Sequence, residues 1–332
     1  MEEKVVAVVG ATGAVGGRML EVLEERAFPI RELRLIASER SAGRTLTFRG
    51  AEHTVVAISE EAFEGVDIAL FSAGGGTSRE WAPIAAARGA VVIDNSSAFR
   101  RDPEVPLVVP EVNADAIHTR PKGIIANPNC STIQMVVALA PLHRAARVER
   151  VVVATYQAIS GGGARASEAF EAQLRSAAKG EAIEHGPLKG QLAGNLLMHW
   201  SVDEASGYQE EELKMVFETR KILGDETIAV SPTAVRVPVL HAHSEAISVS
   251  FHRAMDAKEA RSLLADAEGV ELVDDFPAGA YPQPIHAAGK DATFVGRIRN
   301  DVGLPGGIQL WVVSDNLRKG AATNAVQIAE RL

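Results

Sequence analysis

The chain has 332 residues, 46% hydrophobic and 23% charged, with a formal net charge of −9. That balance excludes a disordered chain and suits a soluble globular protein of two packed units. The acidic balance argues against general attraction to nucleic acid or anionic membrane. No apolar run approaches the ~18 residues that span a bilayer, and no secretory signal precedes the first strand, so a cytoplasmic enzyme is expected.

Residues 5–9 form a β-branched apolar run and predict a strand; residues 16–26, with Met19, Leu20 and Leu23 on one side, predict a helix. Residues 33–37, 68–72 and 91–93 are further strand-like runs, with a helix-like stretch, residues 78–88, between the last two. Strand–helix–strand repeats of this size predict an α/β fold with a parallel, Rossmann-like sheet. From about residue 127 the pattern changes. Residues 148–155, 246–251, 294–298 and 308–313 read as strands, and residues 163–179 and 211–223 as helices. The long separations between these strands predict a mixed sheet in an α+β second domain. Residues 321–332 are helical in character.

Gly10-Ala11-Thr12-Gly13-Ala14-Val15-Gly16 lies between the first strand and the first helix. A tight turn there needs glycine, and the helix start offers N–H groups and a positive dipole end to a pyrophosphate. The spacing is a GxxGxxG variant. Its strand–turn–helix setting favours a nucleotide site over a plain connection, with Gly10, Thr12, Gly13, Ala14, Val15 and Gly16 as contacts. The second strand runs into Ser38-Glu39-Arg40-Ser41. An acid here usually holds the ribose hydroxyl of NAD, whereas Arg40 with Ser38 and Ser41 suits the 2′-phosphate of NADP. NADP is the expected cofactor, with Glu39 leaving NAD open. A second cluster, Ser72-Ala73-Gly74-Gly75-Gly76-Thr77-Ser78, follows another parallel strand, where cofactor crevices form; Ser72 and Gly74 are its candidate contacts.

Cys130 is the single cysteine, so neither an intrachain disulfide nor a cysteine-rich metal site is available. The histidines lack the ligand spacing of zinc proteases, and no metal is expected. Asn127-Pro128-Asn129-Cys130-Ser131-Thr132 precedes an apolar helical stretch, residues 133–142, which puts Cys130 at a helix start. A helix N-terminus favours the thiolate. Two fates stay open for Cys130 on these facts: a small core residue, or a nucleophile for covalent catalysis on a carbonyl.

The segments GATGAVG at 10–16, SERSAG at 38–43, FSAGGGTS at 71–78, IDNSSAFR at 93–100 and VPEVN at 109–113 keep one order with five more. These are NPNCST at 127–132, TYQAISGGG at 155–163, RVPV and then HSE within 236–245, and VGRIRND at 295–301. Together they resemble the aspartate-semialdehyde dehydrogenase family over nearly the whole chain. The resemblance implies a dinucleotide-binding domain of residues 1–127, with 315–332 packing back on it, and a catalytic and dimerisation domain of residues 128–314. It implies an NADP-dependent enzyme that reduces L-aspartyl 4-phosphate to L-aspartate 4-semialdehyde and releases phosphate. That reaction serves the biosynthesis of lysine and diaminopimelate, methionine, threonine and isoleucine. A homodimer is implied, with the second-domain sheet as interface.

Within that family frame Cys130 is the nucleophile that forms a thioester, Gln157 positions the acyl group, and His243 is a general acid/base titrating near neutral pH. Arg236 grips the substrate α-carboxylate, Glu211 holds its amine, Arg100 and Lys214 bind phosphate, and Asn129 joins the substrate set. Ser160, Gly161 and Asn316 join the cofactor set. Taken singly, the charged residues read as solvated surface groups, and His243 as a partly exposed histidine at a strand start.

Two stretches depart from the family pattern. Residues 184–192 match poorly, and Gly194-Asn195-Leu196-Leu197-Met198-His199-Trp200 keeps an asparagine but lacks the Pro-Gln expected soon after it. Among rival families, N-acetyl-glutamyl-phosphate reductase would have glycine in place of Asn129, and glyceraldehyde-phosphate dehydrogenase would set its cysteine in Ser-Cys-Thr-Thr-Asn. A non-catalytic NADP-binding sensor is a different class of reading. It would have no need of Cys130, Gln157 and His243 together.

Overall fold

Lys4–Val9 is strand β1, buried from Val5 onward. In this computed structural model, which describes residues 2–198 and 200–332, helix α1 (Ala14–Glu25) follows and turns Met19, Leu20 and Leu23 inward. Next come β2 (Ile30–Ala37), β3 (Thr45–Phe48), β4 (Ala51–Ala57), β5 (Ile68–Phe71) and α2 (Gly75–Ala87). β6 (Val91–Asp94), the short α3 (Pro110–Asn113) and β7 (Ile124–Ala126) complete the series. Among the described residues these strands form one sheet in the order β3-β4-β2-β1-β5-β6-β7, parallel except for the β3–β4 pair. The order reverses at β1, and the carboxyl end of such a switch point is where ligands bind. Sequence patterning does not predict β3 and β4: polar and apolar residues mix there because they lie at the exposed edge of the sheet.

The chain divides into two compact units, the first running up to Asn129 with Ala321–Leu332, the second Cys130–Gly320. In the first, the terminal helix Thr323–Ala329 packs into the core formed by Val6, Val8, Leu35 and Ile93. Its Asn324 amide donates to Asn127 Oδ1 at 2.7 Å, and Asn127 donates to Asn95 Oδ1 at 2.7 Å. Residues 315–320 belong to the second unit. Asn316 holds them there, accepting from Ala242 N–H at 3.0 Å and donating to Ser160 Oγ at 2.9 Å.

The second unit opens with α4 (Cys130–Ala146) and β8 (Val148–Gln157), followed by α5 (Ala164–Lys179), α6 (Glu210–Leu223) and β9 (Ala229–Arg236). Then come β10 (His243–Phe251), α7 (Ala257–Ala265), β11 (Val270–Leu272), α8 (Pro284–Ala287), β12 (Thr293–Asn300) and β13 (Ile308–Ser314). Among the described residues the sheet order is β11-β12-β13-β10-β8-β9. It is mixed: β8–β9 and β11–β12 are parallel and the other pairs antiparallel. One face presents Val151, Val153, Ile247, Val249, Leu310 and Val312 to Met135, Leu139 and Leu142 of α4. The alternate residues Val152 and Tyr156 point the other way and are exposed. Sequence patterning does not predict β9, because Pro232 argues against a strand. As the sheet edge, β9 tolerates the missing N–H. The poorly matched residues 184–192 pack Leu188 and Leu192 against Phe170 of α5; in the other departing stretch, His199 lies outside the described residues.

Candidate active site

The glycine turn forms one candidate site, in the first unit. Gly10 has φ +85°, and a Cβ there would sit 2.5 Å from the carbonyl oxygen of Ser72. Only glycine lets the ends of β1 and β5 come this close. A side chain at Gly16 would run into the carbonyl of Gly10. Beside the turn is a cavity of about 330 Å³ whose lining includes Gly10, Thr12, Gly13, Ser38, Arg40, Ser41 and Ser72. Arg40 faces this cavity, and no Asp or Glu among the described residues does; Glu39 lies outside the lining. Ala14, Val15, Gly16 and Gly74 are not on the lining either: they shape the turn and helix starts behind it. Thr77 and Trp81 also line the cavity. Their i, i+4 spacing on α2 was a readable signal, since such residues share a helix face.

The reactive centre is built within the second unit by a row across the sheet. Arg236 ends β9 and is paired in register with Gln157, which ends β8. Ser244 pairs with Tyr156, so the register sets His243, the first residue of β10, beside Gln157. His243 pairs in turn with Ser314 of β13. Cross-strand partners share a face, so Arg236, Gln157 and His243 are neighbours although far apart in the chain.

Cys130, the first residue of α4, meets this row: its Sγ lies 3.2 Å from His243 Nε2. The other ring nitrogen, Nδ1, accepts the backbone N–H of Ala158 at 2.9 Å. Gln157 Nε2 lies 2.9 Å from Ser131 Oγ, 3.3 Å from Thr155 Oγ1 and 3.4 Å from Glu211 Oε1. Lys214 Nζ reaches Glu211 Oε2 at 3.4 Å, one helical turn along α6. Glu212 anchors that helix start: it closes a capping box with Gln209 and accepts the Ala234 N–H of β9 at 2.8 Å.

Arg236 is buried. Its Nη1 donates to Ala158 O at 2.6 Å, and its guanidinium carbon lies 4.7 Å above the Trp200 ring. Burial lowers its pKa, and the negative charges of Cys130 and Glu211 act the other way. Trp200 lies in the stretch that departs from the family pattern, so no motif signals it. Its neighbour Leu197 exchanges two backbone hydrogen bonds with Arg236, at 3.0 and 2.8 Å, extending the sheet edge.

His243 has no solvent exposure. It is not the partly exposed strand-start residue that its position alone suggests. Burial, and next the charge of Arg236, hold its pKa well below the usual 6.5. Two glycines enclose the pair. A Cβ on Gly161 would lie 3.2 Å from Arg236 Nη1 and 3.3 Å from His243 Cε1; one on Gly320 would lie 2.8 Å from Cys130 Cβ. Ser160 and Asn316 meet through their side chains beside them. Arg100 and Asn129 are buried in the first unit, where Arg100 Nη2 donates to Asn95 O at 3.0 Å. Among the described residues no group of His, Cys, Asp and Glu is placed to hold a metal, and no helix is long and apolar enough to cross a membrane.

A glycine-turn nucleotide domain followed by a domain with a helix-start cysteine beside histidine defines the semialdehyde dehydrogenase class of oxidoreductases. Residues 5–120 match the semialdehyde dehydrogenase NAD binding domain and residues 139–319 the semialdehyde dehydrogenase dimerisation domain. The aspartate-semialdehyde dehydrogenase of Aquifex aeolicus is 56% identical over 98% of this chain and 97% of its own length. That of Legionella pneumophila is 52% identical over 98% and 95%. The crystal structure of aspartate semialdehyde dehydrogenase II complexed with ASA from Vibrio cholerae superposes with a TM-score of 0.97. It is 49% identical, covering 100% of this chain and 98% of that one. The chain belongs to the aspartate-semialdehyde dehydrogenase family, and the rival families are not favoured.

Proposed function

We propose that this protein reduces L-aspartyl 4-phosphate to L-aspartate 4-semialdehyde and releases phosphate, in the cytoplasm, with NADPH as reductant. The step serves the biosynthesis of lysine and diaminopimelate, methionine, threonine and isoleucine. The contact of Cys130 Sγ with His243 at a helix start carries this assignment, and the names of the relatives at 56% and 52% identity supply the substrate. Cys130 as thiolate attacks the acyl carbon, the bond to the phosphate oxygen breaks, and a thioester remains. The nicotinamide cofactor, when bound, supplies the hydride that reduces that carbon. Collapse of the hemithioacetal then breaks the carbon–sulfur bond, regenerating the Cys130 thiolate and freeing the aldehyde.

Gln157 orients the acyl group, Arg236 takes the α-carboxylate and Glu211 the amine. Arg100 and Lys214 neutralise phosphate, and Asn129 completes the substrate set. Ser38, Arg40 and Ser41 suit a 2′-phosphate, supported by the absence of any carboxylate among the described lining residues of that cavity. Gly10, Thr12, Gly13, Ala14, Val15, Gly16, Ser72 and Gly74 are the remaining cofactor-binding residues of the first unit, and Ser160, Gly161 and Asn316 are the cofactor-binding residues of the second. A homodimer formed on the outer face of the second sheet is supported by the dimerisation-domain match and by the exposure of Val152 and Tyr156.

The test follows NADPH formation on aspartate semialdehyde with and without phosphate. Phosphate-dependent NADPH formation is expected. Cys130→Ala should abolish it while NADP still binds. Near-normal turnover by the pure variant would end the covalent mechanism.

A further inference from the structure

Asp94, the last residue of β6, has no solvent exposure, and no step of the proposed reaction uses its carboxyl group. A buried polar group costs free energy unless partners surround it, and here they come from two places. Its Oδ1 accepts the Ser78 hydroxyl at 2.7 Å and the Ser96 backbone N–H at 3.0 Å, and its Oδ2 accepts the Ser96 hydroxyl at 2.7 Å. Ser96 lies in the loop of residues 95–100, which ends in Arg100. Ser78 lies in the first turn of α2, next to Thr77, which lines the cofactor cavity. The bonds to Ser96 alone would be an ordinary turn after a strand. The bond to Ser78 joins a different element, and both of its partners are fully buried.

We infer that Asp94 is a positioning residue for the phosphate step, fixing the loop that carries Arg100 by tying it to the wall of the cofactor cavity. This inference deepens the function proposed above and rests on its assignment of Arg100 to phosphate. The loop is folded around the same carboxyl. Having donated to Asp94, the Ser96 hydroxyl accepts the Ala98 N–H at 3.1 Å. Arg100 Nη2 returns to Asn95 O at 3.0 Å and closes the loop on itself. The start of the loop is pinned separately. Asn95 N–H donates to Phe71 O at the end of β5 at 2.9 Å, and Asn95 Oδ1 accepts the Asn127 amide at 2.7 Å. These bonds set where the loop begins, and the Asp94 side chain sets how it turns. Arg100 is itself buried, so its place follows the loop backbone and not the reach of a free side chain. A cation fixed in advance binds an anion without first giving up its own freedom.

The order of steps says where such a residue acts. In the oxidative direction the hemithioacetal on Cys130 loses its hydroxyl proton and gives its hydride to the nicotinamide cofactor, leaving the thioester. Phosphate is not needed until then. A phosphate oxygen next attacks the acyl carbon, and the carbon–sulfur bond breaks with its electron pair returning to Cys130 as thiolate. Misplacing Arg100 therefore harms the second half of the reaction and spares the first.

The test uses the full-length protein saturated with NADP. Mixed with aspartate semialdehyde alone it should form NADPH for one turnover, and with inorganic phosphate it should turn over steadily. Asp94→Asn keeps the size but cannot accept all three hydrogen bonds. It should leave the first-turnover rate within about threefold of wild type and raise the half-saturating phosphate concentration about tenfold or more. Ser78→Ala removes only the tie to α2 and should raise that concentration about threefold or more; it decides alone if Asp94→Asn does not fold. Half-saturation within about twofold of wild type in the folded variants would overturn the inference, and so would a first turnover slowed as much as the phosphate step is weakened. A second arm needs no turnover: the rise in Tm that phosphate gives the NADP-saturated protein should shrink in both variants. An equal rise in all the proteins also counts against Asp94. A wild-type protein that forms no NADPH from aspartate semialdehyde would remove the proposed function, while the Tm arm would still decide whether Asp94 sets phosphate binding.

Discussion

Arg236 is held in place by the protein before any substrate arrives. Its bond to Ala158 O and the Trp200 ring fix the guanidinium plane, and a fixed fork suits a carboxylate. Losing one partner of a buried charge pair costs on the order of 2–5 kcal/mol. Arg236→Lys keeps the charge but loses the fork. It should lower kcat/KM on aspartate semialdehyde roughly tenfold or more, while a short aldehyde without the α-carboxylate loses little. Equal proportional losses on the two substrates would make Arg236 structural. At the cofactor cavity Arg40 is exposed, and only Arg40 among the four residues 38–41 brings a cation to the lining. Arg40→Ala should weaken NADP by about tenfold and leave NAD nearly unchanged, since the 2′-phosphate is the group they do not share. Titration of both cofactors decides it, and an unchanged NADP/NAD ratio counts against the assignment.

Helix α4 places its nucleophile through what packs against its first turn. The segment Arg318–Ala322 makes one wide helical turn there, and its Gly320 comes so near that a Cβ would lie 2.8 Å from Cys130 Cβ. Overpacking of this kind costs about 1–3 kcal/mol when the neighbours must give way, and a displacement near 1 Å in a reacting group can cost about 10²-fold in rate. Gly320→Ala should therefore cut kcat by roughly ten- to a hundredfold with NADP affinity retained. A kcat within about twofold of wild type would show that the turn gives way without moving the sulfur. Strand β9 shows where patterning loses its hold. Ala229–Arg236 contains Pro232 and alternates only weakly, yet it carries Arg236 because β8 and α6 recruit it to the sheet edge.

The stability of the second unit carries a titration of its own. Glu245 is fully buried, and burial raises its pKa well above the ordinary 4.5, with the nearby Gln134 amide acting in the opposite direction. Neither carboxyl oxygen makes an ordinary hydrogen bond. A carboxyl with a raised folded-state pKa contributes fully to stability below its unfolded value, and that contribution is lost as pH rises toward the folded one. Glutamine does not ionise. The stability difference between Glu245→Gln and wild type should shift in favour of glutamine by about 1.4 kcal/mol per pH unit within that window. Urea unfolding at about pH 5 and pH 8 measures it; parallel pH dependences in the two proteins would mean that Glu245 is already ionised in the folded protein, with no raised pKa.

Some of this molecule is legible in the chain because the physics is local. The spacing of Gly10, Gly13 and Gly16 after an apolar strand answers to one turn and one helix start, and the apolar stretch after Cys130 answers to helix formation. Composition and period were enough to predict a parallel sheet followed by a mixed one. Tertiary structure alone decided that Arg236, Gln157 and His243 share a row, because register between distant strands sets which side chains meet. It also decided that His243 is fully buried with Nδ1 engaged, and that Trp200 lies on Arg236. Burial and hydrogen-bond direction depend on every element packed around a residue, and a one-dimensional pattern records only its own.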